Sequence, residues 1–175
     1  RHSTHEQPEA ALADIEARLL GIEVDPFAAW MSMVLLDMAL SDLVVAAGRP
    51  LKELVVSTDA LERQPRELGC FGLVLGNPPY GRVPLAHSQR ARFKASLFGH
   101  ANLYGLFTEL AVTLCEPEGI IAYVTPTSFL GGEYFKNLRK LLETKAPLER
   151  LDFVSDRNGV FEGVVEETMR GVLKR

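Results

Sequence analysis

Cys70-Phe71-Gly72-Leu73-Val74-Leu75-Gly76 runs directly into Asn77-Pro78-Pro79-Tyr80, and this junction decides the fold. The first part is a short apolar stretch of strand length. The second part cannot extend it, because Pro78 and Pro79 lack the backbone N–H that a strand ladder uses. A strand over 70–75 is therefore expected to end in a rigid turn. Two prolines and an asparagine also serve as plain strand-to-loop punctuation. That bland alternative asks neither for Tyr80 after the second proline nor for acids at the ends of two earlier strands.

Both acids lie upstream. Leu19 to Val24 is a short apolar run that closes on Asp25-Pro26, and Leu54 to Ser57 is another that closes on Thr58-Asp59. Between them, Phe27 to Ala47 reads as one long helix, apolar on most faces and so packed against a sheet, and Gly48-Arg49-Pro50 stops it. Ahead of both strands, Ala10, Ala11, Leu12 and Ile15 place a helix over 8–18. Downstream, Gly81 to His100 is a polar stretch carrying Arg82, Arg90, Arg92 and Lys94. Tyr104 to Cys115 reads as an amphipathic helix, Ile120 to Val124 as a strand, and Tyr134 to Glu143 as a helix with a basic outer face. Residues 148–154 and 168–173 complete the pattern as strands.

Strands separated by helices imply right-handed crossovers and an α/β fold with a mainly parallel sheet. In such sheets ligands bind outside the carboxyl ends of the strands, where Glu23, Asp59 and Asn77 all fall. The chain has 175 residues, enough for a single domain over 1–175, with 47% hydrophobic and 24% charged residues, so it is not of disordered composition. Its formal net charge of -4 argues against a protein that simply coats nucleic acid. Cys70 and Cys115 lack metal-ligand spacing and read as two buried, reduced thiols. His2 and His5 have no cysteine partner, so no metal is expected. No apolar run reaches the roughly 18 residues of a membrane span, and the polar start is unlike a signal peptide. A cytoplasmic location is the expectation. The chain opens on Arg1 rather than Met, which suggests an excerpt or a processed piece.

The turn at 77–80 suits one kind of chemistry. An exocyclic amine on a planar ring is a poor nucleophile, because its lone pair is delocalised. The side-chain carbonyl of Asn77 and the main-chain carbonyl of Pro78 can accept its two hydrogens, drawing the nitrogen toward tetrahedral geometry for attack on a methyl sulfonium. Consecutive prolines keep the second carbonyl aimed, which is electrostatic preorganisation. Tyr80 offers a flat face; base stacking of this kind contributes about 1–3 kcal/mol and helps hold a nucleotide rotated out of its helix.

Asn77-Pro78-Pro79-Tyr80, taken with Gly21-Ile22-Glu23-Val24-Asp25-Pro26, Asp59-Ala60-Leu61, Asn102-Leu103-Tyr104 and Pro126-Thr127-Ser128-Phe129-Leu130, resembles the gamma-group N6-adenine DNA methyltransferases of restriction–modification systems. The resemblance runs from about Leu19 to near the end of the chain. It implies a Rossmann-like class I methyltransferase sheet, mostly parallel with an antiparallel C-terminal strand, and S-adenosylmethionine as cofactor. By the same resemblance Glu23 binds the cofactor ribose, Val24 packs on its adenine, and Asp59 accepts from the adenine amine beside Ala60. Phe107 lines that pocket, although plain helix core explains it nearly as well. Asn77, Pro78, Pro79 and Tyr80 form the catalytic set, and Phe161 packs on the extruded base opposite Tyr80, with core as its alternative. Duplex DNA is the expected partner, with a restriction or specificity subunit as a further candidate. Arg82, Arg90, Arg92 and Lys94 either meet its phosphates or belong to a solvated loop. The short span from Asp59 to Asn77 puts the target-recognition domain beyond Arg175.

The sequence departs from that family in one respect. The glycine-rich cofactor loop and its strand should precede Glu23, yet residues 1–18 contain no glycine. The first strand of the sheet is expected to come from upstream residues or from a second chain. Two other readings remain open: methylation of a protein glutamine or an RNA base, and a non-catalytic DNA- or partner-binding fragment.

Overall fold

The computed structural model describes residues 6–153 and 168–175, and the chain divides into two compact units, Arg1–Arg63 and Gln64–Arg175. In the first unit, α1 (Glu6–Arg18) leads into β1 (Gly21–Glu23). Asp25 then caps α2 (Pro26–Ala39), accepting hydrogen bonds from Phe27 N at 2.8 Å and Ala28 N at 3.0 Å, with Pro26 in the first turn. The single long helix expected over Phe27 to Ala47 is instead two. A break at Leu40 separates α2 from α3 (Ser41–Ala47) and turns the chain by 70°. The break follows from local hydrogen bonding, as Leu40 N–H bonds both Leu36 O and Met38 O and so tightens the last turn of α2.

β2 (Val55–Ser57) pairs parallel with β1, Gly21 against Val55 and Glu23 against Ser57. α2 packs on both strands, as expected, but Phe27, Trp30, Leu35 and Met38 on its other faces are exposed. The entry to β2 is held by Glu16 of α1. Its carboxylate accepts from Arg49 Nη1 at 2.7 Å, Arg49 Nη2 at 3.0 Å and Lys52 N at 3.0 Å. The Arg49 guanidinium is the main reason the Glu16 carboxyl is lowered to a pKa of about 2.

The second unit is built on a four-stranded sheet. A short helix, α4 (Pro65–Leu68), precedes β3 (Phe71–Gly76). The polar stretch after the turn is more ordered than a loop. It holds β4 (Arg82–Val83), α5 (His87–Arg92) and β5 (Ala101–Asn102), with β4 and β5 forming an antiparallel pair. Next come α6 (Leu103–Leu114), β6 (Cys115–Pro126), α7 (Ser128–Gly131), a 3-10 turn (Glu133–Phe135) and α8 (Lys136–Lys145). β7 (Leu148–Phe153) and β8 (Thr168–Lys174) close the chain. The strand order is β3-β6-β8-β7, parallel between β3 and β6 and antiparallel where β8 meets both neighbours.

Alternation along β6 explains the layering. Ile121, Tyr123 and Thr125 are buried on one face, under α6 and α8, with Tyr104, Leu138, Met169 and Leu173 in the same core. The opposite face carries Leu73, Leu75 and Ile120, all exposed. Among the described residues β3 pairs only with β6, and β1 only with β2. Each unit therefore keeps a parallel strand with an open edge. Among the described residues no single helix is long and apolar enough to cross a membrane; α2 and α3 have the composition jointly but are sharply bent.

Candidate active site

In the first unit the two acidic strand ends lie side by side. Thr58 N donates to Glu23 O at 2.9 Å, so the chain leaves β1 and β2 at adjacent points. Glu23 Oε1 accepts from Asp25 N at 2.9 Å, and its other oxygen takes no hydrogen bond among the described residues. Asp59 Oδ1 accepts from Leu61 N at 2.8 Å. Both carboxylates are thus oriented by their own turns while keeping an oxygen for a ligand. Val24 is exposed beside Glu23, and Ala60 is half-buried next to Asp59. Adjacent carboxylates with an exposed apolar neighbour suit a nucleoside's hydroxyls, amine and ring, so these residues fit the adenosine portion of S-adenosylmethionine.

In the second unit the turn leaves β3 where two constraints meet. A side chain at Gly76 would place its Cβ 2.9 Å from the Tyr123 ring, so only glycine lets the strand end pass over that core aromatic. Gly81 sits at φ +110°, a backbone that L-residues avoid, and its carbonyl accepts from Leu103 N at 2.9 Å. The turn is therefore clamped at both ends. Within it Asn77 and Pro79 are exposed and Pro78 is buried. The Pro78 carbonyl accepts no hydrogen bond among the described residues. Tyr80 is half-buried and packs against the core. Its hydroxyl makes two long contacts, 3.5 Å to Asn77 Oδ1 and 3.4 Å to Val124 O, and holds one hydrogen to share between them.

Tyr104 and Thr125, deeper in the unit, were not singled out by sequence reasoning. Burial pushes the Tyr104 hydroxyl up to about 12, the neighbouring Thr108 and Thr125 hydroxyls pull against this, and Tyr80 adds to it. Thr125 Oγ1 is buried with no partner at hydrogen-bond distance among the described residues. Tyr104 stood in a quoted motif without a role, and Thr125 carried no sequence signal. Phe107 is half-buried on α6, and its carbonyl lies 3.4 Å from the Tyr123 hydroxyl. Phe161 lies outside the described residues. Cys115 is buried as expected, but Cys70 is exposed, because it precedes an edge strand rather than facing the core. No cluster of metal-binding side chains occurs among the described residues.

Alternating strands and helices, acids at two strand ends and a proline turn at a third define the fold of class I S-adenosylmethionine-dependent methyltransferases. A solved Listeria monocytogenes protein assigned to that class matches with a TM-score of 0.67 at 16% identity, over 90% of this chain and 44% of that one. Residues 20–161 match the model of the Eco57I restriction-modification methylases, and the chain belongs to that family. It is 33% identical over 143 residues to the Type II methyltransferase M.TthHB8I of Thermus thermophilus, covering 75% of this chain and 29% of that protein. It is 28% identical over 101 residues to M.BsuBI of Bacillus subtilis, covering 57% and 20%. The chain thus spans less than a third of the length of either relative.

Proposed function

We propose that this chain is the core of a DNA methyltransferase that transfers the methyl group of S-adenosylmethionine to the N6 amine of adenine, within a restriction–modification system. The observation that carries the reading is the turn after β3. It exposes Asn77 beside a Pro78 carbonyl that takes no hydrogen bond among the described residues, with Tyr80 seated on the core behind them.

The two oxygens accept the amine hydrogens and hold the nitrogen lone pair out of conjugation. The cofactor, when bound, supplies the electrophilic methyl sulfonium. One amine proton leaves to solvent after transfer, since methylation makes the amine acidic and no strong base is needed. Glu23 and Asp59 hold the adenosine end, with Val24, Ala60 and Phe107 as its apolar surroundings. Tyr80 and Phe161 stack on the extruded base. The single domain over 1–175 works with duplex DNA, a target-recognition domain beyond Arg175, and a restriction or specificity subunit, in the cytoplasm.

The glycine-free residues 1–18 and the open edges of β1 and β3 support a further expectation: an upstream segment or a second chain completes the sheet and cradles the methionine end. The 175 residues alone should then bind the cofactor weakly. Micromolar binding in a calorimetric titration would remove that requirement. The function itself is tested by incubating the intact protein with duplex DNA, or with a release factor, and labelled methyl donor. N6-methyl-2′-deoxyadenosine in the digested DNA is the expected product; label on cytosine, on the protein or nowhere overturns the proposal.

A further inference from the structure

Charge along this chain is unevenly placed. The whole sequence holds 23 acids and a net charge of -4, yet the 41 residues from Leu68 to Thr108 contain Arg82, Arg90, Arg92 and Lys94 and no Asp or Glu. The acid-free stretch begins before β3, includes the turn at 77–80 and ends inside α6.

The structure folds this stretch onto the segment at 133–137. Lys136 Nζ lies 3.3 Å from the centroid of the Phe98 ring, and Asn137 Nδ2 donates to Leu97 O at 2.6 Å. Arg90 Nη2 donates to Gly99 O at 2.9 Å. Tyr134, exposed, stands 5.5 Å from the His100 ring, and the Arg82 guanidinium carbon lies 5.5 Å over the Tyr134 ring. Arg82 is also pinned through its backbone, opposite Asn102 in the β4–β5 pair. Of the acids near this stretch, Glu133 is neutralised by Lys136 at 2.7 Å and Glu109 Oε2 accepts from Ser96 N at 2.7 Å, while Arg139 donates to the carbonyls of Phe129 and Gly132. No carboxylate among the described residues lies within ion-pair reach of Arg82, Arg90 or Lys94.

We propose that Arg82, held over the Tyr134 ring, grips the phosphodiester backbone of duplex DNA beside the extruded adenine, with Arg90 and Lys94 extending the contact. The inference rests on the methyltransferase reading above and adds a positioning residue to it. A guanidinium over an aromatic face need not give up its N–H donors to that contact, and its fork matches two phosphate oxygens. Arg82 follows Tyr80 by two residues, so their Cα atoms are no more than about 7 Å apart. A phosphate held there fixes the strand next to the nucleotide that stacks on Tyr80. Excluding carboxylates from the surrounding stretch keeps this field attractive in a chain that is acidic overall.

The test uses the intact protein. Methylation of duplex adenine by the wild type is checked first, and its absence ends the reading on which this one rests. Binding of fluorescent duplexes, with and without the recognition sequence, is then followed across a salt series. Arg82→Ala is expected to weaken both duplexes by the same factor and to reduce the slope of log affinity against log salt by about 0.9, the value of one phosphate contact. Arg82→Lys keeps the charge without the fork and should fall between. Tyr134→Leu keeps every charge and should weaken binding by a smaller factor. Arg150→Ala removes the same charge from a residue paired with Asp152 at 2.9 Å and should leave the slope alone. Wild-type methylation combined with an unchanged slope for Arg82→Ala, or an equal drop for Arg150→Ala, overturns the proposal.

Discussion

The strand ends of the two units present polar groups in opposite ways. In the first unit each acid is caught by the backbone two residues ahead, Glu23 by Asp25 N and Asp59 by Leu61 N. In the second, among the described residues the carbonyl oxygen of Asn77 meets only the distant Tyr80 hydroxyl at 3.5 Å, and Tyr80 is placed by the core beneath it. Orientation is local in one case and tertiary in the other. Carboxylates built into their own turns keep their geometry at little cost, since a short strand pair is enough to present them. On the methyltransferase reading proposed above, Asn77 must offer a free oxygen to a reacting nitrogen, so rigidity has to come from Pro78, Pro79 and the packing under Tyr80.

The strongest way to break this contrast is to damage the core. Leu138 is fully buried in the second unit and Leu12 in the first. Truncation of either to alanine should cost about 2–5 kcal/mol. Methyl transfer by Leu138→Ala should fall even where the protein remains folded, because the Tyr80 seat loosens. Hydrogen exchange should rise in β3 and β6 in that variant, and in α1 and α3 for Leu12→Ala. Equal exchange patterns in the two variants would contradict separate anchoring.

Asn77→Ala removes a group and leaves the scaffold intact. Loss of one preorganised oxygen should reduce turnover by about 10²–10³-fold, or roughly 3–4 kcal/mol, with little change in cofactor affinity. The reverse pattern, intact turnover and weak cofactor binding, would put Asn77 in the wrong role.

A smaller effect separates the units by acid. Glu16 is lowered from an ordinary 4.5 to about 2, chiefly by the Arg49 guanidinium. A carboxyl whose folded value is depressed contributes stability above its unfolded value and loses it as pH falls. The tie between α1 and the entry to β2 should therefore weaken between pH 4.5 and pH 2. Arg49→Ala should bring the Glu16 titration, followed by carboxyl NMR, back toward the ordinary value. An unmoved titration would show that Arg49 is not the cause.

The sequence was most legible where chemistry restricts the backbone. Pro78 and Pro79 cannot continue a ladder, so the end of β3 and its turn could be read almost to the residue. The break at Leu40 could not, since Ala39-Leu40-Ser41 holds neither glycine nor proline and the apolar residues around it have no single face to change. The β4–β5 pair escaped because Arg82-Val83 and Ala101-Asn102 meet only once 17 intervening residues, 84–100, have folded back. For the same reason the Arg82–Tyr134 contact and the Tyr104–Thr125 layer were invisible: nothing local records which side chain will arrive from a later element.

The error over Cys70 gives the finest test of the comparison. Both cysteines stand at the start of neighbouring parallel strands, and Cys115 is paired with Phe71, the residue after Cys70. Apolar neighbours in sequence suggested two buried thiols. β3 is an edge strand and β6 an interior one, so only Cys115 is enclosed. Burial pushes its thiol up, against the pull of Arg175 and with a further push from Glu116, and reactivity follows the thiolate. An aromatic disulfide reagent should thus modify one thiol per chain under native conditions and the second only after denaturation, with mass spectrometry placing the first label on Cys70. Cys70→Ser should change stability by no more than about 0.5 kcal/mol. Native labelling of Cys115, or protection of Cys70, in the 175-residue chain would show that the open edge of β3 is not what sets the two thiols apart.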